Sequence, residues 1–318
     1  MTRDIVVLGG SGFVGRSVCE RLVARSGGGS GRIVVPSRRP ARAKHIQLLP
    51  TVQLHDADVH DDAQLAALVA GCDAVVNLVA ILHGDRAAFQ RVHVDLPARL
   101  ARACAVAGVR RIVHVSAIGV ASDAPSHYLR SKAAGEAAVS SSTVPATILR
   151  PSIVFGEHDR FLNLFASMQA FAPFVPLAGA DATFQPVWVE DVAAAIVRCL
   201  DDDGTAGRSF ELVGPRVYTL RQLVQLAGRW SGRERAVIPL PAALARLQAM
   251  FFELLPGEPL ITRDNLASLR VPNVASGKLP GFEALGITPA ALEAIAPSYL
   301  GASDASRLDL WRARARRS

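Results

Sequence analysis

The sequence predicts an α/β protein built on a doubly wound parallel sheet, with a smaller C-terminal α/β lobe packed on it. Two observations support this prediction. Short β-branched runs alternate with amphipathic stretches through the first half of the chain, and these runs are apolar on both faces. Strands of that kind are typical of a parallel sheet covered by helices on both sides. We therefore assign residues 1–150 to the sheet domain and residues 151–318 to the lobe.

Six strands are predicted in the sheet domain, at residues 5–8, 32–35, 52–55, 74–79, 111–116 and 146–150. The amphipathic stretches between them predict helices that include residues 14–24, 63–70, 89–107 and 128–140. The lobe is irregular through residues 161–176, and its helices are predicted at 189–200, 220–230, 241–255 and 289–299. The glycine-rich residues 27–31 predict a flexible turn, and the arginine-rich tail 312–318 predicts a solvated end.

The composition excludes several classes of protein. Half of the 318 residues are hydrophobic and 20% are charged, which excludes a disordered chain, a collagen and a disulfide-stapled scaffold. The chain carries 35 basic and 28 acidic residues, a net charge of +7. A basic surface suits nucleotides, nucleic acid or an anionic membrane face. The arginines are spread along the chain, however, so we expect no nucleic-acid partner.

Cysteine usage and the lack of targeting patterns indicate a cytoplasmic protein. The cysteines lie far apart in apolar runs, with no CxxC pair and no histidine pair at metal-ligand spacing; they are Cys19, Cys72, Cys104 and Cys199. We therefore expect free thiols in a reducing compartment and no metal site. The sequence has no signal-peptide pattern and no apolar run of the ~18 residues that a membrane span needs. Peripheral contact with the inner membrane stays open.

A glycine-rich segment between the first strand and the first helix predicts a dinucleotide site. Residues 5–15 read IVVLGGSGFVG, a hydrophobic strand, a tight turn and the start of a helix. Glycine permits the turn, lets the backbone approach a pyrophosphate and allows close packing, while the N–H groups of the helix N-terminus favour an anion. The alternative, an ordinary turn, does not account for the strand and helix on either side. The predicted contacts from this loop are Gly9, Ser11, Gly12, Phe13, Val14 and Gly15.

The end of the second strand predicts which nicotinamide cofactor binds. An acidic residue there would bind the ribose 2′-hydroxyl of NAD, but this chain has Ser37, Arg38 and Arg39. Guanidinium groups pair well with a phosphate dianion, so the pattern favours NADP(H) over NAD(H). The alternative is that one or both arginines only face solvent. The ends of the third and fourth strands add the remaining predicted contacts, which are Asp58, Val59, Asn77 and Ala80.

Several motifs together resemble the extended or atypical branch of the short-chain dehydrogenase/reductase superfamily. They are GGSGFVG (9–15), NLVA (77–80), YLRSK (128–132) and LRPS (149–152), and the resemblance covers residues 4–200. VHVSAIG (113–119), YLRSKAAGE (128–136) and FQPVWVEDVA (184–193) are most similar to the 39 kDa accessory subunit of respiratory complex I and its bacterial relatives. The resemblance implies a Rossmann fold, cofactor contacts from Lys132 and Pro151, and catalysis through Tyr128, Lys132 and Ser116.

The residues themselves support two members of that catalytic set. Tyr128 and Lys132 are four positions apart on a predicted helix, so their side chains share one face. An ammonium near a phenol lowers the tyrosine pKa from about 10, which would equip Tyr128 as a general acid or base. Ser116 ends the fifth strand, but active epimerases of the superfamily place their reactive hydroxyl slightly further along, where this chain has Ile118. That departure predicts slow or absent turnover with intact cofactor binding.

Three functions of different classes are compatible with these features. The first is a nucleotide-binding protein that assists a respiratory or quinone-related complex, with NADPH as a structural ligand. The second is an active NADPH-dependent reductase, epimerase or dehydratase acting on a sugar nucleotide or a quinone precursor, with specificity in residues 161–182. The third is a redox-sensing regulator. Ile118 and the short loop before Tyr128 favour the first, whereas the Tyr128–Lys132 pair favours the second.

The segment 247–255 is more apolar than one buried helix face requires, because Met250, Phe251 and Phe252 are adjacent. We read it as core packing. The alternative is a docking face for a partner protein or a membrane interface.

Overall fold

The computed structural model of the chain describes residues 4–27, 31–254, 257 and 259–301. The predicted tail at 312–318 and the middle of the predicted turn at 27–31 lie outside the described residues. The strands are β1 (Ile5–Leu8), β2 (Ile33–Ser37), β3 (Val52–Asp56), β4 (Ala74–Asn77), β5 (Arg111–Val115), β6 (Ala146–Pro151), β7 (Val154–Phe155), β8 (Phe174–Ala178), β9 (Thr183–Phe184), β10 (Val187–Trp188), β11 (Ser209–Leu212), β12 (Tyr218–Thr219) and β13 (Ala236–Leu240).

The helices follow the same chain order. They are α1 (Phe13–Arg25), α2 (Lys44–Gln47), α3 (Asp62–Val69), α4 (Arg86–Phe89), α5 (Leu96–Ala107), α6 (His127–Ser140), α7 (Leu162–Phe171), α8 (Val189–Asp201), α9 (Leu220–Trp230), α10 (Ala242–Leu254), α11 (Arg263–Ser268) and α12 (Leu292–Leu300). Among the described helices, none combines the length and the apolar character needed to cross a bilayer.

Seven strands form the central sheet in the order β11-β6-β5-β4-β1-β2-β3, and every neighbouring pair is parallel. From β1 the sheet grows through β2 and β3 on one side and through β4 to β6 on the other. The crevice between the carboxyl ends of β1 and β4 is therefore the topological switch point, where ligands bind in open α/β sheets. The predicted doubly wound sheet is confirmed. Its seventh strand, β11, was not predicted, and β6 crosses the predicted domain boundary at residue 150.

Apolar side chains on both faces of the sheet explain why helices cover it. Along β1, Ile5 and Val7 belong to one buried cluster with α1 and α8, while Val6 and Leu8 belong to another with α3, α5 and α6. All four β1 residues are at most 1% exposed. The prediction that strands are apolar on both faces is wrong at β3, an edge strand whose positions are half-buried or exposed.

The predicted helix at residues 89–107 is interrupted. The chain passes from α4 into a wide π-helical turn at Gln90–Asp95 before α5 begins. In this turn the carbonyl oxygen of His93 lies so close to Gly135 of α6 that a Cβ there would collide with it. No local pattern in the sequence marks a π-helical turn, which depends here on the packing of two helices.

The lobe packs around its own apolar cluster, which includes Phe155 of β7, Leu223 of α9 and Ala296 of α12. Three two-stranded ladders support it, β7 with β10, β8 with β13, and β9 with β12. The prediction that residues 161–176 are irregular is wrong over α7, which buries Leu162 and Gln169. The Gln169 amide bonds to the Val224 carbonyl at 2.8 Å and so ties α7 to α9.

Candidate functional site

The loop after β1 leaves the N-terminus of α1 open at the switch point. Gly9 has φ +81°, a left-handed conformation that glycine adopts without strain, and a Cβ there would lie 3.2 Å from the backbone of Leu78. α1 begins at Phe13, directly after Gly12, and no side chain caps its first turn. The first N–H groups of the helix therefore face the crevice without side-chain acceptors, an arrangement that suits a pyrophosphate.

Two further glycines hold this loop against its surroundings. A Cβ on Gly15 would collide with the backbone of Gly9 and Gly10. A Cβ on Gly10 would lie 2.8 Å from the Val35 side chain of β2, so only glycine fits there as well. Gly10 is not among the predicted site residues, although the double glycine at 9–10 is a signal for it. Gly12 differs from both, because it is exposed and its backbone is extended, with φ −84° and ψ −178°.

Two cationic side chains follow β2 without ion-pair partners among the described residues. Arg38 and Arg39 are exposed, and the N–H of Arg39 donates to Ser37 Oγ at 3.2 Å. Burial lowers the pKa of His60, the Asp58 carboxylate opposes this shift, and the charges of Arg99 and Arg38 add to the lowering. β1 and β2 are parallel neighbours, so the Ser37–Arg39 turn lies at the same sheet edge as the glycine-rich loop.

Asp58 and Asn77, the polar residues predicted to contact a cofactor at the ends of β3 and β4, form hydrogen bonds within the protein. Asp58 Oδ1 accepts from the His60 N–H at 3.0 Å, which leaves its second carboxylate oxygen available. Asn77 is buried, with Nδ2 3.1 Å from His114 Nδ1 and Oδ1 accepting from the Val79 N–H at 3.2 Å. The Asn77 side chain thus ends β4 and turns the chain there, two residues before the predicted end of the strand.

Beyond Asp58, the same edge carries a cationic cleft. His60 contributes to its wall, and the half-buried Val59 precedes it in the chain. The cleft has a volume of about 430 Å³ and is lined by His60, Arg91, Asp95, Ala98, Arg99 and Arg102. Arg99 is engaged by the protein, because it donates to the His60 carbonyl at 2.7 Å and to Asp62 at 3.0 Å. The cationic surface that Arg38 and Arg39 begin after β2 therefore continues to this cleft. On the opposite side, Ala80 is exposed just after β4.

Helix α6 brings Tyr128 and Lys132 to the end of β5. Lys132 is buried, and its Nζ donates to the Val115 carbonyl at 2.7 Å. The Tyr128 hydroxyl makes no hydrogen bond with a described residue. Burial raises the pKa of Tyr128 to about 12 and lowers the pKa of Lys132 to about 8. The predicted lowering of the tyrosine pKa is therefore wrong, because a strand carbonyl holds the ammonium and desolvation dominates at the phenol.

His93 packs against Tyr128 and is satisfied within the protein. The two ring centroids are 5.5 Å apart at nearly perpendicular planes. His93 Nε2 accepts from the Ile81 N–H at 3.0 Å, and Nδ1 lies 2.9 Å from Ser131 Oγ. Burial lowers the pKa of His93 to about 3, and the charge of Lys132 adds to this, so the imidazole is neutral and positions the tyrosine ring by contact.

At the C-terminal end of β5, two buried polar atoms lack a hydrogen-bond partner among the described residues. They are Ser116 Oγ and His114 Nε2. Alternation along β5 places both side chains on the sheet face covered by α6. A buried hydroxyl without a hydrogen bond costs about 1–3 kcal/mol, a cost that a ligand bonding to it removes. Ile118 is 2% exposed, and its side chain has no hydrogen-bond donor.

The lobe reaches the site through Asp264 of α11, a residue that the sequence analysis missed. Its carboxylate accepts from the N–H groups of His127 at 2.6 Å and Tyr128 at 3.0 Å. With Ser126, which accepts from Leu129 N, it caps the helix that carries the Tyr–Lys pair. Asp264 is 136 residues from Tyr128 in the chain, so no local pattern could connect the two.

Together these residues fit a nicotinamide dinucleotide. The open helix N-terminus suits the pyrophosphate, the turn after β2 suits the adenosine end, and the orphan Ser116 hydroxyl follows Val115, whose carbonyl accepts from Lys132. The fold and the site thus define a nucleotide-binding protein of the doubly wound α/β class.

The model of the NAD dependent epimerase/dehydratase family matches residues 5–212, and the chain belongs to that family. It is 35% identical over 294 residues to the mitochondrial "NADH dehydrogenase (ubiquinone) 1 alpha subcomplex subunit 9" of Mus musculus, covering 90% of this chain and 77% of the relative. It is 28% identical over 298 residues to the mitochondrial "NADH-ubiquinone oxidoreductase 40 kDa subunit" of Neurospora crassa, covering 92% and 78%. The predicted kinship with the 39 kDa subunit group is therefore confirmed.

A relative with a different name is 30% identical over 254 residues, covering 77% of this chain and 80% of its own length. It is a "(4-alkanoyl-5-oxo-2,5-dihydrofuran-3-yl)methyl phosphate reductase" of Streptomyces griseus. Among solved structures, an NADPH-dependent quinone oxidoreductase of Escherichia coli superposes with a TM-score of 0.73 at 21% identity, covering 93% of this chain and 99% of that one. At that identity the similarity shows the fold alone.

Proposed function

We propose that this chain binds NADP(H) as a structural ligand in a sheet domain of residues 1–150, and that it assists a respiratory or quinone-related complex from the cytoplasmic side. The observation that supports nucleotide binding most directly is the uncapped N-terminus of α1 behind the Gly9–Gly12 turn. When bound, the cofactor would supply hydride chemistry. Its pyrophosphate would lie on the loop at residues 9–15, its 2′-phosphate near Arg38 and Arg39, and its nicotinamide ribose near Lys132 and Pro151.

A structural role is supported by what surrounds Tyr128. A phenol with a pKa of about 12 is a poor base at neutral pH, and the Lys132 ammonium, which gives one of its three N–H donors to the Val115 carbonyl, does not lower that pKa. Ile118 adds no hydroxyl donor to the site. The relatives from Mus musculus and Neurospora crassa carry names of NADH dehydrogenase subunits, which supports a respiratory complex as the partner of this chain.

An active NADPH-dependent reductase, epimerase or dehydratase is the second candidate. The unpartnered Ser116 hydroxyl favours it, because a buried donor at the end of β5 would suit the oxygen of a carbonyl substrate. The reductase relative from Streptomyces griseus supports the same function. A sugar nucleotide or a quinone precursor would then meet the residues at 161–182. Incubating the purified protein with NADPH and such carbonyl compounds tests this candidate, with oxidation of the cofactor as the readout.

Cofactor preference tests the adenosine end of the proposal. We expect NADPH to bind at least tenfold more tightly than NADH, about 1.4 kcal/mol, because one charge-assisted contact to the 2′-phosphate supplies that much. Arg38→Ala should remove most of the preference. Isothermal calorimetry with both cofactors measures it. Equal dissociation constants in the parent protein would contradict the assignment of NADP(H).

The matched control for this experiment is Arg32→Ala. Arg32 is an exposed arginine at the opposite end of β2, where it pairs with Asp4 at 2.8 Å. Arg32→Ala removes the same charge as Arg38→Ala, but at a distance from the crevice. The ratio of the dissociation constants for NADPH and NADH should therefore stay as in the parent. If Arg32→Ala lowered the preference as much as Arg38→Ala, the preference would come from net charge and not from a contact.

A further inference from the structure

Helix α10 is oriented opposite to an ordinary surface helix. Its small residues Ala245 and Ala249 face the protein and are at most 4% exposed. Its large apolar side chains point outward, with exposed fractions of 53% at Leu244, 61% at Leu247, 46% at Met250, 59% at Phe251 and 81% at Leu254. The prediction that residues 247–255 pack in the core is therefore wrong for Leu247, Met250, Phe251 and Leu254, whereas Ala249 is buried as predicted. We call the five outward-pointing side chains the α10 stripe.

Neighbouring elements add exposed apolar side chains near the stripe. Ile238 of β13 and Phe174 of β8 are each 46% exposed on the ladder against which α10 packs. Leu260, on the connection to α11, is 50% exposed. Single exposed hydrophobic residues are common, but a set of this size on adjoining elements marks an interaction surface.

The charges around the stripe leave an excess of positive charge. Residues 229–254 contain two carboxylates, and each is paired, Glu253 with Arg263 at 2.8 Å and Glu234 with Arg229 at 3.3 Å. Arg246 lies on α10 between Leu244 and Leu247, and it forms no ion pair with a described residue. Arg233, exposed just before β13, is unpaired in the same sense.

We propose that the α10 stripe docks on an anionic lipid bilayer, with the stripe entering the boundary between headgroups and acyl chains and Arg233 and Arg246 contacting lipid phosphates. Leucine and phenylalanine on one side of a helix with arginines at its margin are typical of helices that lie in the plane of a membrane. A symmetric contact between two copies would bring these unpaired arginines close to one another, which disfavours self-association. The net charge of +7 acts in the same direction as the local charge.

Docking at this face would bring the membrane near the mouth of the crevice. α10 packs on α11, whose Asp264 caps the helix of Tyr128. Asn265 of α11 also reaches the carbonyl of Leu82, on the loop that follows β4, at 3.5 Å, and Leu82 is 55% exposed. The inference does not depend on the proposed function, because none of the stripe residues lies in the nucleotide site.

Flotation of the full chain with lipid vesicles tests the proposal. One set of vesicles is phosphatidylcholine alone, and the other is phosphatidylcholine mixed with phosphatidylglycerol. We expect binding to the mixed vesicles, at least tenfold tighter than to the neutral ones. Leu247→Glu and Phe251→Glu should each weaken that binding about tenfold or more, since withdrawing one such side chain from an apolar phase shifts an equilibrium by at least that factor. Arg246→Gln should weaken it about fivefold.

Val106→Glu is the matched control. Val106 is 92% exposed on α5, remote from the stripe. Its substitution by glutamate should leave vesicle binding unchanged. Calorimetry with NADPH runs alongside, so that loss of nucleotide binding and loss of membrane binding are scored separately.

Three outcomes would overturn the proposal. Equal binding to neutral and mixed vesicles would remove the role of charge. A parent dimer that Leu247→Glu converts to a monomer, with no vesicle binding, would assign the stripe to a second copy. A monomer that floats with neither vesicle would assign it to a partner protein.

Discussion

Gly12→Val is expected to weaken NADPH binding by about 100-fold or more while the protein stays folded. Gly12 has an extended backbone that any residue adopts, it is exposed, and a Cβ there would have one near neighbour, the Gly9 carbonyl oxygen at 3.2 Å. The valine methyl groups would occupy the approach to the first N–H groups of α1. Losing two charge-assisted hydrogen bonds of about 1.5–3 kcal/mol each accounts for a change of that size.

Two companion variants separate a blocked ligand from a damaged fold. Gly12→Ala adds one methyl group and should give an intermediate affinity. Gly10→Val should instead lower the melting temperature, because a Cβ at Gly10 already lies 2.8 Å from Val35. Calorimetry and thermal unfolding of the three proteins make the comparison. Unchanged NADPH affinity in a folded Gly12→Val protein would refute the nucleotide site.

The contrast between Gly10 and Gly12 illustrates how far the sequence predicts this site. Periodicity and the glycine motif predict the sheet, the loop and the first helix, because those features depend on residues close together in the chain. The same reasoning does not separate a glycine needed for packing from one that faces a ligand. That distinction depends on Val35, which belongs to another strand and reaches Gly10 only through the parallel pairing of β1 and β2.

The errors at the Tyr–Lys pair have a related cause. The i, i+4 spacing places Tyr128 and Lys132 on one side of α6, but hydrogen-bond partners and desolvation decide their ionisation. The partner of the ammonium, the Val115 carbonyl, comes from another part of the chain, and so do the side chains that bury the phenol. For α10, composition predicts that the apolar residues are buried. Whether they instead form an exposed docking face depends on which side of the helix packs against the protein. There Ala245 and Ala249 make the contact.

Lys132→Met is expected to stabilise the nucleotide-free protein at pH 7 by about 2–3 kcal/mol, which is about 3.5 kcal/mol from the pKa shift less about 1 kcal/mol for the lost Nζ hydrogen bond to the Val115 carbonyl. Burial lowers the Lys132 pKa from 10.5 to about 8, and each unit of that shift is worth about 1.4 kcal/mol when the ammonium must be charged. The unfolded chain binds the proton more tightly than the folded one. The penalty is therefore complete below pH 8, shrinks as the pH rises from about 8 to 10.5, and is absent above that range. Urea unfolding at pH 7 and pH 10 measures the difference.

Saturating NADPH should cancel most of the stability difference between the two proteins. A ligand at 100 times its dissociation constant stabilises the folded state by about 2.7 kcal/mol, and Lys132→Met gives up most of that gain if the ammonium holds the nicotinamide ribose. A lysine retained at such a cost in stability is explained by binding. If Lys132→Met bound NADPH as tightly as the parent, Lys132 would be excluded as a cofactor contact.

Tyr128→Phe then separates a structural role from catalysis. The Tyr128 hydroxyl makes no hydrogen bond with a described residue, so its removal should change neither NADPH affinity nor stability by more than about 0.5 kcal/mol. In a strain that lacks the gene, a structural protein predicts that Tyr128→Phe restores respiration as well as the parent, whereas Gly12→Val does not. Failure of a folded, NADPH-loaded Tyr128→Phe protein to restore it would require chemistry at the phenol. The buried Ser116 hydroxyl would then be the group to test next, because catalysis would explain why it lacks a partner.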